Sequence, residues 1–477
     1  MWRLVLVALL TVVAAAQSLP ELLREGAARK AQGDAVGALT AYQQAAKIAP
    51  NSAEVQCEVG FLLAVLKRPM EAQRHFRETL RIDPNFARAR HLLGLSLWIG
   101  GEREPALKEL RIAARLRPGE LEYRTRLGDA LVESGRPGEA VLHYRATVEV
   151  KPADASLWNK LGLAWQQAGD MTEAHKAYAE AVRVAPDNND FRNNLGLSLM
   201  GTGRGDEGLA EFRRILERDP ADLTARLNVG FALTQTSELD QAAAWFRDML
   251  SRDPSLAIVH YNLGLVLKQK DELEAAIEEL HRAIELDPVL ADAHYTLAMT
   301  LWQTGDFPAS ERETSAAAAL RPDWAEPWFL LGTVRRQAGD HAKAAEALRE
   351  AIRLDPSTPG PFNTLAQVLR LQGDEAGSRE AFQKGAEVKA RLEGQQAAVF
   401  SVNTGFDQLS KGDLPGAEQQ FRRAIEKAPR MAKAHSGLAE VLRKRGQTVA
   451  ANRELRLAET LQAESRAATV SLQMGGR

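Results

Sequence analysis

A chain of 477 residues that is 45% hydrophobic and 26% charged has a globular composition, which excludes a disordered polypeptide. Its 63 acidic and 61 basic side chains leave a formal net charge of −2, without the basic excess of a dedicated nucleic-acid binder. Aromatics reach only 6% while Ala and Leu dominate, so helix is the expected secondary structure.

The first element reads as an export signal. Arg3 precedes a largely apolar run from Leu4 to Ala16, too short to span a bilayer core comfortably. Ala14 and Ala16 occupy the small-residue positions of a cleavage site, which makes residues 1–16 the signal and Gln17 the mature N-terminus. No later segment is apolar enough to cross a membrane, so no span is expected once the signal is removed. Cys57 is the only cysteine: it lies far from the cleavage site, which excludes a lipoprotein anchor, and it has no partner for an intramolecular disulfide. These features predict an exported protein, periplasmic or secreted, of a bacterium.

Prolines then fall at 50, 84, 118, 152, 186, 220, 254, 288, 322 and 356, every gap being 34 residues. A fixed period in this range means a solenoid. With that proline as repeat position 32, the first repeat begins at Leu19. Position 8 holds Gly26, Gly60, Gly94, Gly128, Gly162, Gly196, Gly230, Gly264 and Gly332, with Ala298 as the exception. Position 20 is usually Ala, from Ala38 to Ala344, with Gly208 and Ser310 substituting, and position 24 is commonly bulky, as in Tyr42, Phe76, Tyr144 and Phe212.

That pattern predicts a pair of antiparallel helices per repeat. Gly at 8 and Ala at 20 let two backbones approach closely, and large residues at 7, 11 and 24 fill the flanking volume. Position 15 is often Gly (Gly33, Gly169, Gly305, Gly412), suited to the left-handed residue that closes a helix. Asp34, Asp170, Asp306, Asp340 and Asp374 follow directly and suit the cap of the next helix. The proline stops the second helix.

Stretches such as Tyr261-Asn262-Leu263-Gly264-Leu265 and Ala283-Ile284-Glu285-Leu286-Asp287-Pro288 resemble the two signature segments of the tetratricopeptide repeat family. The resemblance implies an all-α fold, a right-handed superhelical solenoid of antiparallel helix pairs with a concave face lined by first helices at positions 2, 5, 6, 9, 12 and 13.

Eleven repeats fill residues 17–392, the eleventh degenerate because Ala390 replaces the proline and Ser378 the alanine. Residues 393–397 shift the register, two further repeats occupy 398–465, and 466–477 read as a frayed tail. Without a breaker at 390, the second helix of repeat eleven is expected to run on past Leu392. Both a seam between two modules and a continuous superhelix are compatible with this pattern.

On the implied concave face, position 6 reads Arg126, Lys160, Asn194, Asn228, Asn262, and position 13 supplies Gln167, Gln235, Gln269, Gln303 and Gln337. Residues 34 apart should stack into two amide ladders, whose donors and acceptors suit the backbone of an extended polypeptide. A similar asparagine ladder lines the superhelix of O-linked N-acetylglucosamine transferases, which this portion resembles without their catalytic region. Arg88, with Arg126 and Lys160, gives the ladder a basic mouth favouring acidic peptide segments. Phe61, Phe231 and Phe406 at position 9, with Trp98 and Trp302 at position 12, read as packing residues before groove anchors.

No catalytic signature appears. Metal-ligand spacing, phosphate-cradling loops and nucleophile elbows are absent, so no cofactor or metal is expected. His260 and His294, one repeat apart, and the pair Glu278/Glu279 read as solvated helix residues. The expected function is a non-catalytic scaffold that binds other proteins or peptides. Two alternatives remain open at this level: a substrate-targeting subunit of an envelope glycosyltransferase or peptidoglycan-modifying complex, and a self-assembling structural protein.

Overall fold

A computed structural model describes residues 18–474, with side chains through Gln462 and at Glu464. The expected signal, residues 1–16, lies outside the described residues. Twenty-five α-helices and no strand are found among the described residues, each first helix packing against the second helix of its own repeat. The all-α fold of paired repeats is therefore as the periodicity predicts. The chain divides into two compact units, one ending at Phe191 and the other beginning at Arg192.

Within each repeat the close approach is made where the small residues predict it. A methyl group built on Gly60 would lie 2.7 Å from the Phe76 ring, and on Gly162 2.6 Å from the Tyr178 ring. Position 24 thus fills the notch left at position 8, which is why the bulky residue and the glycine recur together. Burying a phenylalanine this fully contributes about 1.5–3 kcal/mol, and Phe76, Phe212 and Phe421 are all 0% exposed. Repeat nine resolves its exception by exchange: Ala298 supplies a methyl, and position 24 shrinks to Thr314. Ser310 there donates its hydroxyl to the Ala298 carbonyl at 2.8 Å, and Ser378 makes the same bond to Ala366 in repeat eleven.

The connectors follow the same logic. Every repeat from the first to the eleventh carries its left-handed residue at position 15, and that residue is glycine in all but three. Lys67, Ser237 and Asp271 adopt φ of 58–63° there, a conformation that costs an L-residue about 1–2 kcal/mol. Asp34, Asp170, Asp306, Asp340 and Asp374 each accept a backbone N–H from three residues on, as capping predicts.

The end of the chain departs from the period. One helix of 36 residues, Glu375–Ser410, joins the second helix of repeat eleven to the first helix of repeat twelve. The register-shifting residues 393–397 lie within this helix, which runs on past Leu392. Gly394 lets this helix pass close to the end of Leu414–Lys427, since a methyl at 394 would sit 3.0 Å from the Lys427 carbonyl oxygen. The last helix spans Thr448–Met474 and takes in residues 466–474 of the expected tail. The reason is that no Gly or Pro interrupts the chain between Gln447 and Gly475.

Cys57 is buried, and burial pushes its thiol up to about 12. It is accordingly a packing residue and not a reactive thiol.

Candidate functional site

First helices expose one face through positions 6, 9 and 13, which lie i, i+3 and i+7 and so align along a helix. In the unit ending at Phe191 this face is charged. Glu58 accepts from Lys30 at 2.7 Å and from Arg88, and both cations lie over the Phe61 ring, at 5.2 and 5.4 Å from its centroid. Burial raises the Glu58 carboxyl, but the hydrogen bonds from Arg88 and Lys30 outweigh it and hold the group below its ordinary value. Two repeats on, Asp129 accepts from Lys160 at 2.6 Å and from the Tyr144 hydroxyl at 2.7 Å, with Arg126 3.9 Å away.

The basic mouth expected from Arg88, Arg126 and Lys160 is thus largely neutralised by carboxylates at positions 6 and 9. A cleft of about 400 Å3 beside Trp98 is lined by Arg126, Lys160, Asp129 and Glu133 among others, two charges of each sign. Glu133 also accepts the Trp98 indole N–H at 3.2 Å. Gln167 is exposed at the last residue of the helix Ala155–Gln167.

In the unit beginning at Arg192 the same face changes chemistry. Asn194, Asn228 and Asn262 are half-buried, and Gln235, Gln269, Gln303 and Gln337 are exposed at or near the ends of their helices. Part of the amide capacity is already used. Asn228 donates to the side-chain oxygen of Asn193, and Asn262 donates to the Ile258 carbonyl of its own helix at 2.7 Å. Each amide carries a second N–H and an oxygen with two lone pairs beyond these bonds.

Between the two polar rows runs an apolar one that sequence reasoning did not single out. Position 9 reads Leu197, Phe231, Leu265 and Met299, of which Leu197 is 37% and Phe231 42% exposed. The signal was available, since position 9 is apolar from Leu197 to Met299 while position 6 is polar in the same repeats and position 13 is glutamine in all of them but the first, where it is Gly201. The groove aromatics divide accordingly. Phe406 packs on Phe421 with ring centroids 4.9 Å apart, and Phe61 joins the core beneath its two cations. Phe231 and Trp302 stay open to solvent.

His260 and His294 are not solvated, contrary to expectation; each is 8% exposed. The His260 ring bonds the Glu279 carboxylate at 2.6 Å and the Pro254 carbonyl at 3.1 Å, and His294 does the same with Glu313 and Pro288. Glu279 is therefore a hydrogen-bond partner rather than a merely solvated acid. The same task recurs at position 4 with other residues: Gln56, Arg90, Arg124, Trp158, Trp328 and His435 each donate to the repeat-ending proline carbonyl six residues back. That carbonyl lies past the helix end, in the connector, where no helical ladder supplies it a donor. No group of residues suited to a metal ion occurs among the described residues.

The His294 pair has a pH signature. The Glu313 hydrogen bond, against burial, raises the imidazole above its ordinary 6.5, and His294 in turn lowers the Glu313 carboxyl. Its stabilisation is complete below pH 6.5 and fades as pH climbs through the raised value; at the acid end it fades as pH falls through the lowered Glu313 value. Amide exchange in Ala291–Thr304, corrected for intrinsic rates, should quicken from pH 6 to pH 8. His294→Gln should remove that dependence, and an unchanged slope would reject the assignment.

A model described as tetratricopeptide repeat matches residues 125–189, 166–222, 193–257, 295–359, 329–390 and 405–464, more than half of the chain. The chain belongs to the tetratricopeptide repeat family. A second model, described as TPR repeat, matches residues 266–305 and fills part of the interval between those matches. No curated protein matches the chain. Among solved structures, a crystal structure of MamA is 24% identical over 34% of this chain and 94% of its own, with a TM-score of 0.33. MamA 41-end from Desulfovibrio magneticus RS-1 is 22% identical over 36% and 97%, also at 0.33. A tetratricopeptide repeat protein from Parabacteroides merdae ATCC 43184 is 14% identical over 52% and 98%, at 0.46. As a tetratricopeptide repeat protein, the chain belongs to a class that generally serves as protein–protein interaction scaffolds. Among the described residues, no helix is long and apolar enough to cross a membrane.

Proposed function

We propose that this tetratricopeptide repeat protein is a non-catalytic scaffold that holds extended polypeptide segments along the first helices of its second unit. The observation that carries this reading is the half-exposed row Leu197, Phe231, Leu265 and Met299, lying between the asparagines at position 6 and the glutamines at position 13. An extended chain offers backbone amides on its edges and side chains on alternating faces. Amide rows bind the former without demanding a sequence, and the apolar row takes the latter. The resemblance of this portion to the asparagine-lined superhelix of O-linked N-acetylglucosamine transferases supports the same use. In the first unit, where Glu58 and Asp129 offset Arg88, Arg126 and Lys160, the face favours a partner of mixed charge.

We also read the protein as exported, with residues 1–16 removed before Gln17, on the strength of Arg3, the apolar run and Ala14/Ala16. Changing Asn194, Asn228 and Asn262 together to Ala is expected to leave helicity by circular dichroism intact and to reduce partner recovery in affinity purification at least tenfold. Recovery equal to wild type would remove the amide row from the binding site. A single stoichiometric enzyme in the purified sample, in place of several unrelated proteins, would instead favour a targeting subunit.

A further inference from the structure

The long helix Glu375–Ser410 leaves a place in the array unfilled. In the regular repeats the chain turns back after each second helix, and the next first helix packs into the angle between the two helices before it. After repeat eleven it runs straight on. Residues 398–410, which make up the first helix of repeat twelve, begin about 24 Å further along the axis than Phe382, at 1.5 Å per residue. They cannot fold back over repeat eleven. Position 24 lies open here: Ala366 closes the notch that receives Phe76, Phe212 and Phe421 in their repeats, no first helix follows to cover the ring, and Phe382 is 63% exposed where those three are 0%. A cleft of about 800 Å3 occupies the angle, lined among others by Asn363, Gln367, Arg370, Arg379, Phe382 and Lys389.

The charge around this cleft is specific. The Arg370 and Arg379 side chains form no ion pair or hydrogen bond with any described residue, and the Lys389 amine meets only Glu393, at 3.8 Å. Glu375 is the one acid in the lining. The array itself shows what such positions meet when a first helix is present. Position 21 of repeat nine, Glu311, pairs with position 11 of repeat ten, Arg335, at 2.8 Å. Position 12 of repeat ten, Arg336, meets position 9 of repeat eleven, Gln367. Arg379 is position 21 and Arg370 position 12 of repeat eleven, so a helix seated in this cleft would present its positions 11 and 9 to them.

We propose that the cleft between Pro359–Leu371 and the first half of Glu375–Ser410 docks an amphipathic helix of another protein, apolar opposite Phe382 and acidic opposite Arg379 and Arg370. This is recognition of a helix in a groove, distinct from the extended segments proposed for the first-helix face. A second copy of this chain does not fit: position 11 of its first helices is Leu, Trp, Arg or Gln, and never acidic. Arg29 of the first repeat would be driven against Arg379.

Residues Trp324–Ala338 contain the first helix that fills the corresponding place after repeat nine, and they supply a probe. A fluorescein-labelled peptide of that sequence carrying T333E and R335E should bind the full chain saturably in an anisotropy titration. The unaltered peptide should bind at least tenfold more weakly. On the protein side, R370E/R379E should reverse that order, and F382A should weaken the acidic peptide without changing helicity by circular dichroism. The proposal is overturned by absence of saturable binding of the acidic peptide, or by equal affinity for wild type, R370E/R379E and F382A. Self-association of the wild type that R370E/R379E abolishes would also overturn it, since the cleft would then belong to a second copy.

Discussion

Replacing Gly196 with Leu is expected to cost about 1–3 kcal/mol through overpacking. A methyl at this position would already lie 2.5 Å from Cε1 of Phe212 and 2.8 Å from its Cζ, and Phe212 is fully buried. The ring has no room to retreat. Repeat nine shows how the fold accommodates a methyl, since Ala298 is accompanied by Thr314 at position 24. The mild change Gly196→Ala should therefore reverse sign with its partner. In the wild-type chain it destabilises by overpacking; in a Phe212→Thr background it should stabilise by up to about 1 kcal/mol, the helix preference of Ala over Gly. Hydrogen exchange in Asn189–Gly201 and Gly205–Arg218 reads both effects locally, which suits a chain whose repeats open semi-independently. Destabilisation of equal size in both backgrounds would mean that Phe212 is not what excludes the methyl.

Glu211→Leu is expected to cost about 3–5 kcal/mol, the penalty of removing one partner of a buried ion pair. Arg192 and Glu211 bond at 2.6 Å, with each side chain only 11% exposed. The pair joins position 4 to position 23, the same two positions that His260 and Glu279 occupy two repeats later. Removing the carboxylate takes this bond from a guanidinium held in low dielectric, where water replaces it poorly, and also frees Arg214, which shares Glu211. Arg192→Met with Glu211→Leu should recover most of the loss, because an apolar pair of similar volume has no charge to desolvate. Urea unfolding followed by circular dichroism separates these outcomes. A single change that costs under about 0.5 kcal/mol would place the pair in the class of solvent-screened surface bridges.

Much of the fold was legible because the period encodes backbone geometry directly. Gly at 8, Gly at 15 and Pro at 32 each answer a local steric demand, and the structure uses them for those demands. Position 4 shows the limit. Gln, Arg, Trp and His all donate there to the same proline carbonyl, so the task repeats while the residue does not, and a search for recurring letters passes over it. His260 and His294 were misjudged for that reason. The site was less legible for a related one: whether Arg88 or Lys160 is free depends on Glu58 and Asp129, which lie 30 and 31 residues back and so off the 34-residue vertical register. The amide rows were visible as letters, but the apolar row between them became a feature only through its exposure. The straight helix Glu375–Ser410 was foreseeable in part, since Ala390 removes the breaker, whereas its extension through 410 depends on packing against Leu414–Lys427.

On the proposed function, the first-helix face of the second unit holds polypeptide. A photo-crosslinking residue placed at Phe231, and separately at the exposed Glu217 on the second helix Gly205–Arg218, tests it most directly. Crosslinks to extended segments of partner proteins from position 231, and none from position 217, are the predicted result. Equal crosslinking from both positions, or crosslinking from 217 alone, would contradict it.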